Sequence, residues 1–189
     1  MSTTRETQLR DFLEKARPLS PVLVTPEGYV SRGNARYELG EYEAALYEYE
    51  AALAQRPMYV NALFNKGIVL ARLREWNKAR EAFLQTLDEA RNQDVLVQAD
   101  ANYYLAVVLH ELGRNEEALA AVIQATERGN EPAHAYFRAR MHSVLGQDRE
   151  ALDWLRRAAS ARKKYAEAAR GEPDFEPLRS RPDFSRLTA

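Results

Sequence analysis

Apolar side chains recur at helical spacing along the stretch from Asn61 to Leu87. Each half of this stretch places small or bulky apolar residues on one helical face, three or four positions apart. They are Leu63, Gly67 and Leu70 in the first half, and Ala79, Phe83 and Leu87 in the second. A polar turn with one large aromatic residue, Trp76, separates the halves. The pattern predicts two amphipathic helices that pack together, with Gly67 facing Ala79 at their closest approach.

The same pattern occurs four times along the chain. The residue at the centre of each turn is Gly40, Arg74, Gly113 and Gly146 in successive copies, which are 34, 39 and 33 residues apart. A single helix pair cannot bury its apolar stripes alone, so the copies are expected to stack on one another.

This period, the small residues at helix contacts and the aromatic residue after the turn resemble the tetratricopeptide-repeat family. The resemblance implies an all-α, right-handed α-solenoid of antiparallel helix pairs. The sequence departs from the family pattern in three places. About five extra residues precede the third copy, Asn115 and Asp148 replace the turn aromatic in the last two copies, and only the first copy ends on the expected proline, Pro57.

The pattern also divides the chain into regions. Residues 1–25 are expected to form a helix and an extended linker, followed by four repeats at about 26–59, 60–93, 99–131 and 132–160. Thr25 and Pro26 fit the cap and first turn of a helix. A capping helix and a tail rich in proline and phenylalanine are expected over residues 161–189, anchored by Phe175, Leu178 and Phe184. This tail is similar to those of bacterial members of the family.

The resemblance implies that the first helix of each repeat lines a concave groove that binds an extended peptide or a partner helix. The candidate groove residues are Asn34, Tyr37, Phe64, Asn65, Ile68, Tyr103, Tyr104, Val107, His110, Tyr136 and Arg140. Phe64, Tyr103 and Tyr136 share one register, so these rings either form a ladder that binds a ligand or only pad neighbouring helices. Both interpretations remain open at this stage.

One activity known in the family can be tested against these residues. Co-chaperones of this family bind an acidic C-terminus through two asparagines and three basic residues. Asn34 and Asn65 match the asparagines, but Val30, Asp100 and Tyr104 stand at the basic positions. We therefore expect a mostly apolar ligand with few charges instead of an acidic tail.

The remaining chemistry of the sequence argues against several function classes. The three histidines, His110, His134 and His142, lack the spacing of a helical metal pair, and no phosphate loop or nucleophile motif is present, so we expect neither a cofactor nor an enzyme. The net charge of −1 gives no general attraction to nucleic acid, and no segment has the length of a membrane span. A cytoplasmic protein is expected.

The sequence thus predicts a protein-interaction module whose partner is another protein or a peptide. The alternative is a self-assembling scaffold, in which a terminal segment or a neighbouring copy fills the groove and the chain forms a homo-oligomer. A helical-repeat RNA binder would need a basic groove, and this one offers only Arg140.

Overall fold

The computed structural model describes residues 4–15, 24–91 and 95–189, and this part of the chain is helical without strands. The α-helices are α1 (Thr4–Lys15), α2 (Pro26–Glu38), α3 (Tyr42–Gln55), α4 (Val60–Arg72), α5 (Trp76–Glu89), α6 (Val95–Glu111), α7 (Asn115–Arg128), α8 (Pro132–Val144), α9 (Asp148–Ala161), α10 (Lys164–Ala169) and α11 (Pro182–Thr188). A 3₁₀ segment, Pro173–Leu178, lies between the last two. The expected all-α fold of antiparallel helix pairs is confirmed.

Some expectations fall on parts of the chain outside the described residues. These are most of the linker expected before residue 25 and part of the extra residues that precede the third copy, at positions 16–23 and 92–94. The chain forms two compact units, Met1–Asn92 and Gln93–Ala189. In the first unit α2 pairs with α3 and α4 pairs with α5; in the second α6 pairs with α7 and α8 with α9.

The four repeat turns share one backbone conformation, as their sequence spacing predicts. Gly40, Arg74, Gly113 and Gly146 are the residues with positive φ in the described chain, with values of 77°, 59°, 74° and 70°. The residue after each turn centre donates its N–H to the carbonyl five positions back, from Glu41 to Arg36 and equivalently in the other copies. This arrangement satisfies carbonyl groups at the end of the first helix and reverses the chain for the second.

The small residues of the first helices face aromatic rings on the second. A Cβ atom added at Gly67 would lie 2.7 Å from Cε1 of Phe83, and one added at Gly33 would lie 2.5 Å from Cε1 of Tyr49. The sequence paired Gly67 with Ala79, which is fully buried, and the three atoms nearest to the added Cβ belong to the Phe83 ring. The Phe83 side chain is long enough to reach across the pair, and it occupies the space that Gly67 leaves open.

The N-terminal cap of α2 forms as expected. The Thr25 hydroxyl accepts a hydrogen bond from the Gly28 N–H at 3.2 Å, and Pro26 begins the helix. Just before this cap, Val24 packs against the core of the first unit and its carbonyl accepts a hydrogen bond from Gln55 Nε2 at 3.0 Å. The described end of the linker is thus held against the first repeat.

The end of the chain closes the core of the second unit. The three expected anchors, Phe175, Leu178 and Phe184, are buried in one apolar cluster with Leu152 and Leu155 of α9. The 3₁₀ segment packs against α8, and α10 and α11 pack against α9. Residues after the last repeat therefore cover apolar surface that would otherwise face water.

Candidate functional site

A pocket of about 260 Å³ opens on the first unit between α2 and α4. Its lining combines four candidate groove residues with two residues that the sequence did not single out. The lining residues are Asn34, Tyr37, Asn65 and Ile68, together with Glu38 and Tyr49. The first four define what we call the α2–α4 surface.

A hydrogen-bonded pair of asparagine side chains lies at the centre of the α2–α4 surface. Asn65 Nδ2 donates to Asn34 Oδ1 at 2.9 Å, and the Tyr49 hydroxyl donates to the same oxygen at 2.7 Å. Tyr49 is only 2% exposed, and burial raises the pKa of its hydroxyl far above the usual value. A buried hydroxyl needs an acceptor for its proton, so Tyr49 holds the oxygen of Asn34 inward and turns its NH₂ group outward.

Tyr37 forms the aromatic wall of this surface. Its ring lies 5.6 Å from the ring of Tyr42, and its hydroxyl accepts a hydrogen bond from Arg72 Nε at 3.0 Å. Glu38, at the edge of the pocket, pairs with Arg5 of α1 at 2.6 Å. The charged groups next to the pocket thus have partners, and its floor is amide and apolar in character.

Phe64 does not contribute to the lining of this pocket. Its ring packs at an angle of 64° against Phe83 of α5, with 6.0 Å between ring centres. Phe64 is half-buried and packs against α5.

The other candidate residues, Tyr103, Tyr104, Val107, His110, Tyr136 and Arg140, lie on α6 and α8 of the second unit and define the α6–α8 surface. Tyr103 stacks on His134 with 4.7 Å between ring centres and contacts Phe137 edge-on. Tyr104 lies edge-on to Tyr103 at 5.2 Å, and Val107 is half-buried. Tyr103 thus fills the contact between α6 and α8, and burial raises the pKa of its hydroxyl.

The C-terminal segment contacts three residues of the α6–α8 surface, His110, Tyr136 and Arg140. Asp174 accepts a hydrogen bond from Arg140 Nε at 2.8 Å and lies 3.3 Å from Nε2 of His110. The Ser143 hydroxyl donates to the Asp174 carbonyl at 2.7 Å, which fixes the backbone at this point. The adjacent Phe175 ring packs against Tyr136, with 5.8 Å between ring centres.

These contacts set the charge states around Asp174. The hydrogen bond with Asp174 raises the pKa of His110 above 6.5. Burial of Asp174 would raise the pKa of its carboxyl, but the hydrogen bond from His110 and the charge of Arg140 outweigh it, so that pKa lies below 3.8. Asp174 thus contacts His110 of α6 and Arg140 of α8, which fastens the tail to both helices.

The aromatic register identified in the sequence therefore divides among internal contacts. Phe64 packs on Phe83, Tyr103 on His134 and Phe137, and Tyr136 on Phe175 and Tyr165. Each ring pads a neighbouring element, which favours the second of the two interpretations left open by the sequence.

Sequence reasoning missed two residues that shape these surfaces, Tyr49 and Asp174. Tyr49 follows Gly33 by sixteen positions, and the equivalent spacing from Gly67 to Phe83 was a signal that could have placed both rings. Nothing comparable pointed to Asp174, because its role depends on where a 3₁₀ segment folds back.

The described residues contain no group of three or more His, Asp or Glu side chains that could hold a metal ion. Within the same ranges, every helix is too short or too polar to cross a membrane.

Two sequence models of known families match the chain. One, described as a TPR repeat, matches residues 33–73, and another, described as a tetratricopeptide repeat, matches residues 86–132. No curated protein matches it.

Several solved structures share the fold. A structure of MamA superposes with a TM-score of 0.71 at 17% identity, covering 86% of this chain and 87% of that one. A MamA structure from Desulfovibrio magneticus RS-1 has a TM-score of 0.61 at 20% identity, covering 92% of this chain and 99% of its own. YrrB, whose structure is described as that of a TPR protein with an unusual peptide-binding site, has a TM-score of 0.67 at 18% identity, covering 99% of this chain and 90% of its own.

The repeated turns, the antiparallel helix pairs and the two matching family models agree with one another. The chain contains tetratricopeptide repeats, which the two family models match over residues 33–73 and 86–132.

Proposed function

We propose that this chain is a protein-interaction module that binds an extended, mostly apolar peptide segment at the α2–α4 surface. The observation that carries the proposal is the asparagine pair fixed by Tyr49, in which Asn34 Oδ1 accepts from both Asn65 Nδ2 and the Tyr49 hydroxyl. Each asparagine keeps hydrogen-bonding capacity for a ligand.

The fixed orientation gives the two asparagines different roles. Since both inward bonds use the oxygen of Asn34, its NH₂ group is left to donate, and the oxygen of Asn65 is left to accept. An extended residue of a peptide presents one carbonyl and one N–H on the same side of its backbone. Asn34 would donate to that carbonyl and Asn65 would accept from that N–H, which makes recognition independent of the ligand's side chain.

Side-chain selection would come from the walls of the pocket. Tyr37 and Ile68 are half-buried and flank the asparagine pair, so an apolar side chain next to the bonded residue would gain contact area there. Glu38 already pairs with Arg5, which leaves little charge to attract an ionic ligand.

The second unit supports this choice of surface. The chain's own C-terminal segment lies against the α6–α8 surface, where Asp174 bonds to Arg140 and Phe175 packs against Tyr136. A peptide would have to displace this segment before it could reach His110 or Arg140. Among the described residues, a pocket lined by Asn34 and Asn65 remains open at the α2–α4 surface.

The self-assembling scaffold remains the second candidate, and the same C-terminal segment is the observation that favours it. The segment packs against α8 of its own chain. A scaffold would require the same segment of a neighbouring copy to pack there and fill the groove. The contact is made within one chain, however, where it completes the apolar core.

Peptide selection on the full-length protein tests the proposal. Short random peptides selected for binding would be measured by calorimetry against the parent protein, the Asn34→Leu variant and the Asn65→Leu variant. Each substitution replaces an asparagine with an apolar side chain of similar size and so removes the amide. We expect the affinity for the selected peptides to fall about tenfold, which corresponds to about 1.4 kcal/mol.

Asn77, an exposed asparagine on α5, provides the matched control as Asn77→Leu. This variant should bind selected peptides as the parent does. Peptides that bind all four proteins equally would show that the α2–α4 surface is not the site.

A further inference from the structure

Two guanidinium groups lie over one indole ring in the second unit. Cζ of Arg138, on α8, is 4.0 Å from the centre of the Trp154 ring on α9. Cζ of Arg157, three residues after Trp154 on the same helix, is 4.3 Å from that centre. We call these three residues the Arg–Trp surface.

Neutral neighbours hold Arg138 in place. Its Nη1 donates to the Thr126 hydroxyl at 2.7 Å, and its Nε donates to Nε2 of His142 at 3.4 Å. Burial lowers the pKa of His142, so the ring is neutral at pH 7, with Nδ1 directed to Gln147 Oε1 at 2.5 Å. These bonds use Nε and Nη1 of the guanidinium and leave the Nη2 group of Arg138 for other contacts.

Neither arginine of the Arg–Trp surface forms an ion pair within the described residues. Other arginines of this unit do bind carboxylates: Arg114, Arg140, Arg156, Arg179 and Arg181. Burial lowers the pKa of Arg138, Glu127 opposes that change, and the positive charge of Arg157 adds to it. Two positive charges held close together repel, and an incoming anion would relieve that repulsion.

We propose that the Arg–Trp surface docks an acidic segment of a partner protein. A guanidinium stacked on an aromatic ring keeps its N–H groups in one plane, which suits bidentate binding of a carboxylate. Tryptophan and arginine are also the residue types that contribute most to binding energy at protein interfaces. Positive charge continues from Arg157 to the end of α9, where Arg162, Lys163 and Lys164 are exposed.

The surroundings favour an acidic peptide over nucleic acid or a lipid surface. Glu127 lies close enough to influence Arg138, and Asp153 pairs with Arg156 one turn away on α9. A continuous array of phosphates would be repelled by these carboxylates, whereas a short acidic segment can place its charges between them. The indole already lies under two guanidinium groups, so it offers little face for stacking a base. This docking surface is separate from the proposed peptide site and does not depend on it.

Trp154 fluorescence provides a direct test. The chain has two tryptophans, so the Trp76→Phe variant of the full-length protein reports on Trp154 alone. Titration with hexaglutamate should give a saturable change in emission, while hexaglutamine should give none. In the same background, Arg157→Gln should weaken binding about fivefold. Arg149→Gln, an exposed arginine at the start of α9, should leave it unchanged, and added salt should weaken it.

Other results would overturn the proposal. The proposal fails if hexaglutamate causes no saturable change in Trp154 emission, or if Arg157→Gln and Arg149→Gln weaken binding equally. It also fails if the emission saturates only with heparin or with phosphatidylserine vesicles. If Trp76→Phe unfolds the protein, the arginine Nε–Hε resonances of the unmodified chain replace the fluorescence. Hexaglutamate must then shift the resonance assigned by Arg157→Gln, and an unshifted resonance contradicts the proposal.

Discussion

Two glycine positions show how single residues set the spacing of the helix pairs. Gly33 and Gly67 each lie beneath an aromatic ring of the second helix, Tyr49 and Phe83, and both rings are almost completely buried. A side chain at either glycine would have to move a ring that packed neighbours surround. The distance between the helices of each pair therefore depends on the absence of one Cβ atom.

We predict that Gly67→Ala destabilises the protein. The added methyl group would lie 2.7 Å from the Phe83 ring, and such overpacking costs about 1–3 kcal/mol, more than the helix propensity gained. Urea unfolding measures the change. Gly171→Ala is the control, because its Cβ would have no neighbour within 4 Å. Equal stabilities of the two variants would contradict this account of the packing.

Arg74 gives the opposite prediction at the second turn. It adopts a φ of 59°, where the other turns have glycine, and its side chain is exposed. Arg74→Gly removes the strain of the left-handed conformation but increases the freedom of the unfolded chain, which leaves a net gain of about 0.5 kcal/mol. A variant less stable than the parent in urea would show that the Arg74 side chain contributes more than its conformation costs.

These turns also show what the sequence could predict. The repeat could be identified from its turn centres, Gly40, Arg74, Gly113 and Gly146. Three of them are glycine, which favours a left-handed turn, and all four recur at a nearly constant spacing. Asn34 and Asn65 were placed on one surface by the resemblance to the family's groove. The sequence did not predict that the Phe83 ring lies over Gly67, because local spacing does not tell how far a phenylalanine ring reaches. The spacing from Gly33 could have placed the Tyr49 ring, but its hydrogen bond to Asn34 on another helix has no local sequence signal.

At the scale of elements, the 3₁₀ segment Pro173–Leu178 decides which surface remains open. Its Asp174 joins α6 through His110 and α8 through Arg140, and its Phe175 enters the core. The sequence predicted the buried anchors because large apolar residues in a tail need cover. It did not predict the Asp174 contacts, since residues from three elements meet there only in the folded chain.

The contact between His110 and Asp174 should make stability depend on pH. Because folding raises the pKa of His110, the charged ring contributes to the free energy of unfolding. This contribution is fully present below pH 6.5 and is lost as pH rises through the pKa of the folded state. Asp174 sets the lower limit, since its lowered pKa means that its contribution is lost only below pH 3.8. We expect the stability difference between the parent and His110→Gln to be larger at pH 5.5 than at pH 8.5, as measured by urea unfolding.

His142 offers a control of opposite sign. Burial lowers the pKa of His142, so the fold favours the neutral ring. The contribution of the neutral ring to the free energy of unfolding is present above pH 6.5 and is lost as pH falls through the pKa of the folded state. The difference between the parent and His142→Gln should therefore decrease on acidification. A His110→Gln difference that does not change with pH would show that the Asp174 contact holds without the charged histidine.

The C-terminal elements should also be needed for the core of the second unit. Deleting Glu172–Ala189 removes Phe175, Leu178 and Phe184 from the cluster and uncovers Tyr136 and Leu155. We expect a lower melting temperature and stronger binding of an apolar dye than for the full-length protein. A truncated protein that melts like the parent would show that the tail is not part of the core.

At the scale of the whole molecule, two surfaces of different chemistry are proposed on different units. The α2–α4 surface is amide and apolar, whereas the Arg–Trp surface is positively charged. Since salt screens exposed charges and leaves apolar contacts largely unchanged, peptide affinity at the first surface should be nearly the same at low and moderate ionic strength. A steep decrease with salt would assign the selected peptides to a charged surface instead.

The central claim is that the asparagine pair fixed by Tyr49 binds a peptide backbone. Side-chain amide resonances of the isotopically labelled full-length protein, followed while a selected peptide is added, test this claim most directly. The account predicts that the NH₂ signals of Asn34 shift as it donates to the peptide, while the signals of His110 and Arg140 stay in place. Unchanged Asn34 signals, together with shifts confined to α6 and α8, would contradict it.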